Sequence, residues 1–173
     1  MKIRQGFVSN SSSSNFIVAI PKEIDTAKKL QELLFGSDIY MKYYDDSFSC
    51  KDLAEVIFND IKGQDDRSSD LKHLFEEIVG GSLQGFKYKS KRLSPGQSHW
   101  DIDDEKEREI VWKEESEMRA KHAVVQVLRF VDANKEKCNI YTFTYSDNDG
   151  AIQSALEHGD VFDNVKHMVS SHH

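Results

Sequence analysis

Four of the seven histidines of this chain fall in its last sixteen residues, interleaved with carboxylates. The stretch from Tyr141 to His173 reads YTFTYSDNDGAIQSALEHGDVFDNVKHMVSSHH. Neutral imidazole and ionised carboxylate each offer a lone pair near neutral pH, so the mixture suits a divalent metal or a general acid and base. Asp147, Asp149, His158, His172 and His173 are the candidate metal ligands, and Asp147, Glu157 and His158 the candidate catalytic groups. Hard oxygen donors beside imidazole point to Mg, Mn or Zn. The terminal His172-His173 pair reads either as part of the site or as a frayed tail. DNDG at 147–150 matches part of a calcium loop, but the DxDxDG pattern fails at its first position and the downstream glutamate is misplaced.

A second candidate lies near the other end. Ser9 to Asn15 is a serine and asparagine run, and such side chains compete for backbone groups and favour turns. It reads either as a flexible polar arm or as an ordered loop whose donors face an anion. Asn10, Ser11, Ser12 and Ser13 are then the candidate substrate-binding residues. The run precedes the apolar segment Phe16 to Ile20 and lacks the GxxxxGK[ST] pattern, so it is not a Walker loop.

Elements must bring these two regions together. Five consecutive apolar residues at 16–20 are the pattern of a central strand buried on both faces, and Ile140 to Tyr145 alternates as a strand that ends at Asp147. Between them, Asp25 or Thr26 caps a helix carrying Ala27, Leu30, Leu33 and Leu34, with Gly36 as its stop. Ser49 with Asp52 opens a second helix ending at Gly63, and Leu71, Leu74, Phe75 and Ile78 mark a third. Ile39 to Tyr44 reads as a short edge strand or an ordered loop. The apolar spacing from Ile110 to Val131 predicts one long helix over about 104–134, with Ala123 to Val131 as a strand being the competing assignment. Ala151 to His158 is expected as a short helix, and Val161 to Val169 as a last strand presenting His167 and His172-His173. The expected fold is α+β (or α/β): a small sheet including 15–20 and 139–147 packed against three to four helices. Residues 1–173 form a single domain, with 1–14 as its serine-rich loop or arm.

Composition narrows the function classes. With 38% apolar and 31% charged residues the chain is a globular protein, and no apolar run reaches the ~18 residues of a membrane helix. No membrane partner is expected and a cytoplasmic location is. Cys50 and Cys138 lack CxxC spacing, which argues against a disulfide framework or a zinc ribbon. A net charge of −7 disfavours nucleic acid and suits a basic protein partner or a small ligand. The one basic patch, Lys87, Lys89, Lys91 and Arg92 alternating with Phe86 and Tyr88, reads as an anion or single-strand contact, or as a charged edge. His99-Trp100-Asp101, just beyond it, is a further candidate for the site.

The segment RQGFVSNSSSSNFIV at 4–18 and the closing SDNDG, EHG and SHH elements resemble the two ends of small phage-type proteins that share an FVSNSSSSSF opening. The resemblance covers about a quarter of the chain and departs from the pattern at Asn15. It implies a phage-type accessory protein, located in the host cytoplasm, whose two ends form one functional unit. It implies no reaction. From the residues, the leading expectation is a metal-dependent hydrolase acting on a phosphorylated or nucleotide-like small molecule. The alternatives are a non-catalytic inhibitor of a host defence or transcription protein, and a small-molecule sponge.

Overall fold

The apolar run at 16–20 lies inside β1 (Ser13–Pro21), and its placement explains why it shows no alternation: both faces of this strand are covered. The computed structural model describes residues 13–79, 82–83 and 88–171. After β1 come α1 (Ala27–Phe35), β2 (Tyr40–Tyr43), β3 (Asp46–Ser49), α2 (Cys50–Lys62), α3 (Leu71–Val79) and β4 (Ser82–Leu83). They are followed by α4 (Glu105–Asn134), β5 (Cys138–Ser146), α5 (Ala151–His158) and β6 (Lys166–Ser171). The main sheet is antiparallel in the order β4-β6-β1-β5, while β2 and β3 form a separate hairpin. The fold is α+β.

Two apolar layers sandwich the sheet. Phe16, Val18 and Ile20 of β1 join Tyr141, Phe143 and Tyr145 of β5 against Leu30 and Leu34 of α1, Leu53 and Ile57 of α2, and Leu156 of α5. On the opposite face Ile17 and Ile140 meet Leu74 and Ile78 of α3 and Ala123, Val127 and Val131 of α4. The four-residue spacing of that last group puts one helical stripe on the sheet, so Ala123 to Val131 is helix and not strand. Thr26 and Ser49 cap α1 and α2 as their types require, each accepting from a backbone N–H three residues on.

The outer edge of β5 is closed by the linker after α2. Gln64 donates to the Thr142 carbonyl at 2.7 Å and accepts from its N–H at 3.1 Å, and Asp66 accepts from the Ile140 N–H at 2.8 Å. These side chains occupy backbone groups that a neighbouring strand would otherwise take.

Two sequence expectations move and one left open is resolved. β1 begins at Ser13, so Ser13 and Ser14 belong to the sheet rather than to a loop: Ser13 pairs with Ser146, and Ser14 with Tyr145 on one side and Ser171 on the other. The last strand starts at Lys166, because 161–164 turns, closed by Asp163 N–H to Asp160 carbonyl at 3.1 Å. The aromatic stretch at 40–43 is indeed a strand, but its partner β3 is polar and carries no apolar alternation. Among the described residues no helix is long and apolar enough to cross a membrane.

Candidate functional site

Asp147 leaves the end of β5 in a single 3-10 turn, which Ser146 caps by accepting from the Asn148 N–H at 3.3 Å. Gly150 then takes φ 104°, a conformation that disfavours a side chain, and the chain reverses into α5. That reversal brings Glu157 and His158, in the last turn of α5, back beside Asp147. One ligand atom from each of Asp147, Glu157 and His158 lies within 4.8 Å of the other two. Ligands about 2.1 Å from a shared tetrahedral ion sit about 3.4 Å apart, so a modest contraction would close the group on one cation.

Glu157 is the unusual member. Its side chain is 0% exposed, and Oε2 lies 3.3 Å from Nε2 of His158. Oε1 accepts from Ser14 Oγ at 3.3 Å, and Ser14 Oγ is in turn 3.3 Å from Ser171 Oγ. Oε2 has no hydrogen-bond partner among the described residues. A buried carboxylate with one long hydrogen bond is expensive, and a cation is the partner that would satisfy it.

The β2–β3 hairpin supports this end of α5. The Tyr43 ring lies parallel to the His158 ring at 6.2 Å, and its hydroxyl is 3.5 Å from Ser154 Oγ. Desolvation, with the Glu157 charge among the further causes, lifts the Tyr43 hydroxyl above its ordinary value. Met41 packs against Gly159, where a β-carbon would collide with the Ala155 carbonyl oxygen and lie 2.7 Å from the Met41 methyl.

A cavity of about 390 Å³ opens beside the group, sharing Glu157 and His158 with it. Phe16, Val161 and Phe162 supply apolar wall, while Ser14, Ser171 and His167 supply polar groups. Asp160 and Asp163 also face it, so its lining leans acidic. Asp147 does not line this cavity but stands at its margin through the shared pair.

The structure therefore gathers Asp147, Glu157 and His158 as expected from sequence. It places Asp149 on the same exposed 3-10 turn as Asp147 but outside the group. Ser13 lies at the start of β1; Asn10, Ser11, Ser12, His172 and His173 fall outside the described residues. Ser14 belongs to the Ser9–Asn15 run expected near the site, though not singled out within it, whereas Ser171 and Tyr43 were not anticipated. For Ser14 a signal existed: it shares the β1 face of Phe16, Val18 and Ile20, so period-two reading points it inward. His99 is not here; it joins Glu115 of α4, Nδ1 to Oε2, at 3.1 Å. Of the basic patch, Phe86 and Lys87 lie outside the described residues, and Tyr88 is docked on α4 through His122 at 2.7 Å, with Arg119 over its ring.

No protein-family model, curated protein or solved structure matches the chain.

Proposed function

We propose that Asp147, Glu157 and His158 bind one divalent cation, and that the protein hydrolyses a small phosphorylated molecule held in the adjoining cavity. The buried Glu157 Oε2, lacking a hydrogen-bond partner among the described residues and lying beside two further ligand atoms, is the observation that carries this reading. Two carboxylates and one imidazole suit Mn or Zn better than Mg, which takes oxygen ligands. A bound cation would supply Lewis acidity at a phosphoryl oxygen and lower the pKa of a coordinated water.

The chain's own groups then have separate tasks. Ser14 holds Glu157 in place from β1, and the Tyr43 ring orients the His158 imidazole. Ser171 offers a hydroxyl donor to a phosphoryl oxygen, and His167 an imidazole. Asp160 and Asp163 repel an anion that is not neutralised, which makes phosphate entry depend on the cation. The resemblance of both ends to phage-type accessory proteins supports a role in an infected cell.

Phosphate release from a panel of nucleotides and sugar phosphates, followed with and without added Mn or Zn, tests the reading. Turnover that needs metal and disappears in Asp147→Asn and His158→Ala, with circular dichroism unchanged, is the expected result. Stoichiometric metal without turnover of any substrate would reduce the site to a binding pocket, and no metal binding would remove it.

A further inference from the structure

Both tryptophans of the chain are exposed, Trp100 by 76% and Trp112 by 55%, and they flank one surface hollow of about 270 Å³. Glu105, Arg108, Glu109 and Trp112 stand at i, i+3, i+4 and i+7 of α4, one stripe of the helix, and the turn at His99–Asp101 sets Trp100 over them. That turn is fixed: the Ser98 N–H and hydroxyl donate to Asp101 at 2.6 and 3.0 Å, His99 reaches Glu115, and Ile102 packs with Leu93 and Val111. The tryptophans are thus held out rigidly, at a cost in exposed apolar area that folding does not require.

The surroundings are strongly charged. Residues 101–117 hold nine carboxylates and three basic side chains, a net of −6 within a chain of net −7. The helix dipole accounts for Asp104, Glu105 and Glu107 at the first turn, but Glu109, Glu114 and Glu117 lie beyond its reach. Arg92 neutralises Glu114 at 2.7 Å, and Glu115 is taken by Ser90 and His99. Among the described residues Glu105 and Glu109 form no salt bridge, and Arg108 turns toward the Ile102 carbonyl at 3.5 Å.

From this we infer that the Trp100–Trp112 hollow docks an arginine-rich segment of another protein. A guanidinium suits both features at once, since it stacks on indole and pairs with carboxylate, and tryptophan is the residue type most enriched among interface anchors. The sign of the field attracts such a segment and repels nucleic acid and anionic lipid alike. The inference is independent of the metal site, which lies on other elements.

Because both tryptophans sit here, tryptophan emission, excited where tyrosine does not absorb, reports on this surface alone. Hexaarginine amide titrated into the intact protein should give a saturable change in emission, with hexalysine binding at least threefold more weakly because ammonium stacks poorly. Glu105→Gln/Glu109→Gln should weaken hexaarginine at least tenfold, whereas Glu32→Gln/Glu55→Gln, which removes equal charge from α1 and α2, should leave it within twofold. Trp112→Ala, checked for an unchanged melt and read through Trp100, should also lose at least tenfold. Equal weakening in the two glutamine pairs would mean that only net charge matters and would overturn the proposal, as would a missing fluorescence response.

Discussion

Replacing Glu157 by glutamine separates the cost of a buried carboxylate from its use. The side chain is wholly buried, with one hydrogen bond at 3.3 Å on Oε1 and, on Oε2, no hydrogen bond among the described residues beside the 3.3 Å contact to His158 Nε2. Glutamine has the same shape and still accepts from Ser14, but brings no charge that must be desolvated. Without metal, Glu157→Gln should therefore be more stable than the parent by about 1–3 kcal/mol, a rise in Tm of roughly 3–10 °C for a chain of this length. Saturating Mn or Zn should reverse the order. At a hundredfold excess over Kd the parent gains about 2.7 kcal/mol by mass action, while the variant, short of one ligand, gains little. Thermal melts by circular dichroism at neutral pH, in EDTA and across a metal titration, read both effects. A variant less stable than the parent in EDTA would show that the carboxylate is a structural group. Equal metal-induced shifts in the two proteins would refute the ligand role.

Ser14→Ala removes the donor to Glu157 and should destabilise the metal-free protein by about 1 kcal/mol, measured by urea unfolding. Gly159→Ala forces a β-carbon into the Ala155 carbonyl and the Met41 methyl; overpacking should cost about 1–3 kcal/mol and lower metal affinity, because His158 is the preceding residue. At Asp66, burial raises the carboxyl pKa, but hydrogen bonds from Ile140 and Ser68 outweigh it and hold the group below its ordinary value. Its contribution is therefore complete above the unfolded-state value near pH 4 and is lost as pH falls through the lower folded value. Asp66→Ala should cost about 1 kcal/mol at pH 7, with the difference from the parent narrowing below about pH 4 in acid unfolding curves.

The elements legible in the sequence are those whose signal is local. The run at 16–20 announces a strand covered on both faces, Thr26 and Ser49 announce helix starts, and the apolar spacing from Ile110 to Val131 announces α4 as one long helix; which stripe faces the sheet was not legible, since Ile110, Val124 and Leu128 are exposed while Ala123, Val127 and Val131 are buried. β3 was not legible because DSFS is a polar hairpin partner, defined only by its register with β2. Of the site, Asp147, Glu157 and His158 were legible because a tight turn and one short helix connect them. Ser14 to Glu157, Tyr43 to His158 and Ser171 to Ser14 join residues more than a hundred positions apart, and only sheet register and the hairpin bring them together. The place of His99, a candidate for the site that no spacing tied to it, was not legible for the same reason: its carboxylate partner is Glu115, sixteen residues on, across the turn into α4.

Anomalous diffraction from crystals grown with Mn or Zn tests the central claim most directly. One peak per chain is expected, about 2.0–2.3 Å from a carboxylate oxygen of Asp147, one of Glu157 and an imidazole nitrogen of His158, and no such peak in Glu157→Gln. A metal bound elsewhere, or no peak between these three side chains at saturating metal, would contradict it.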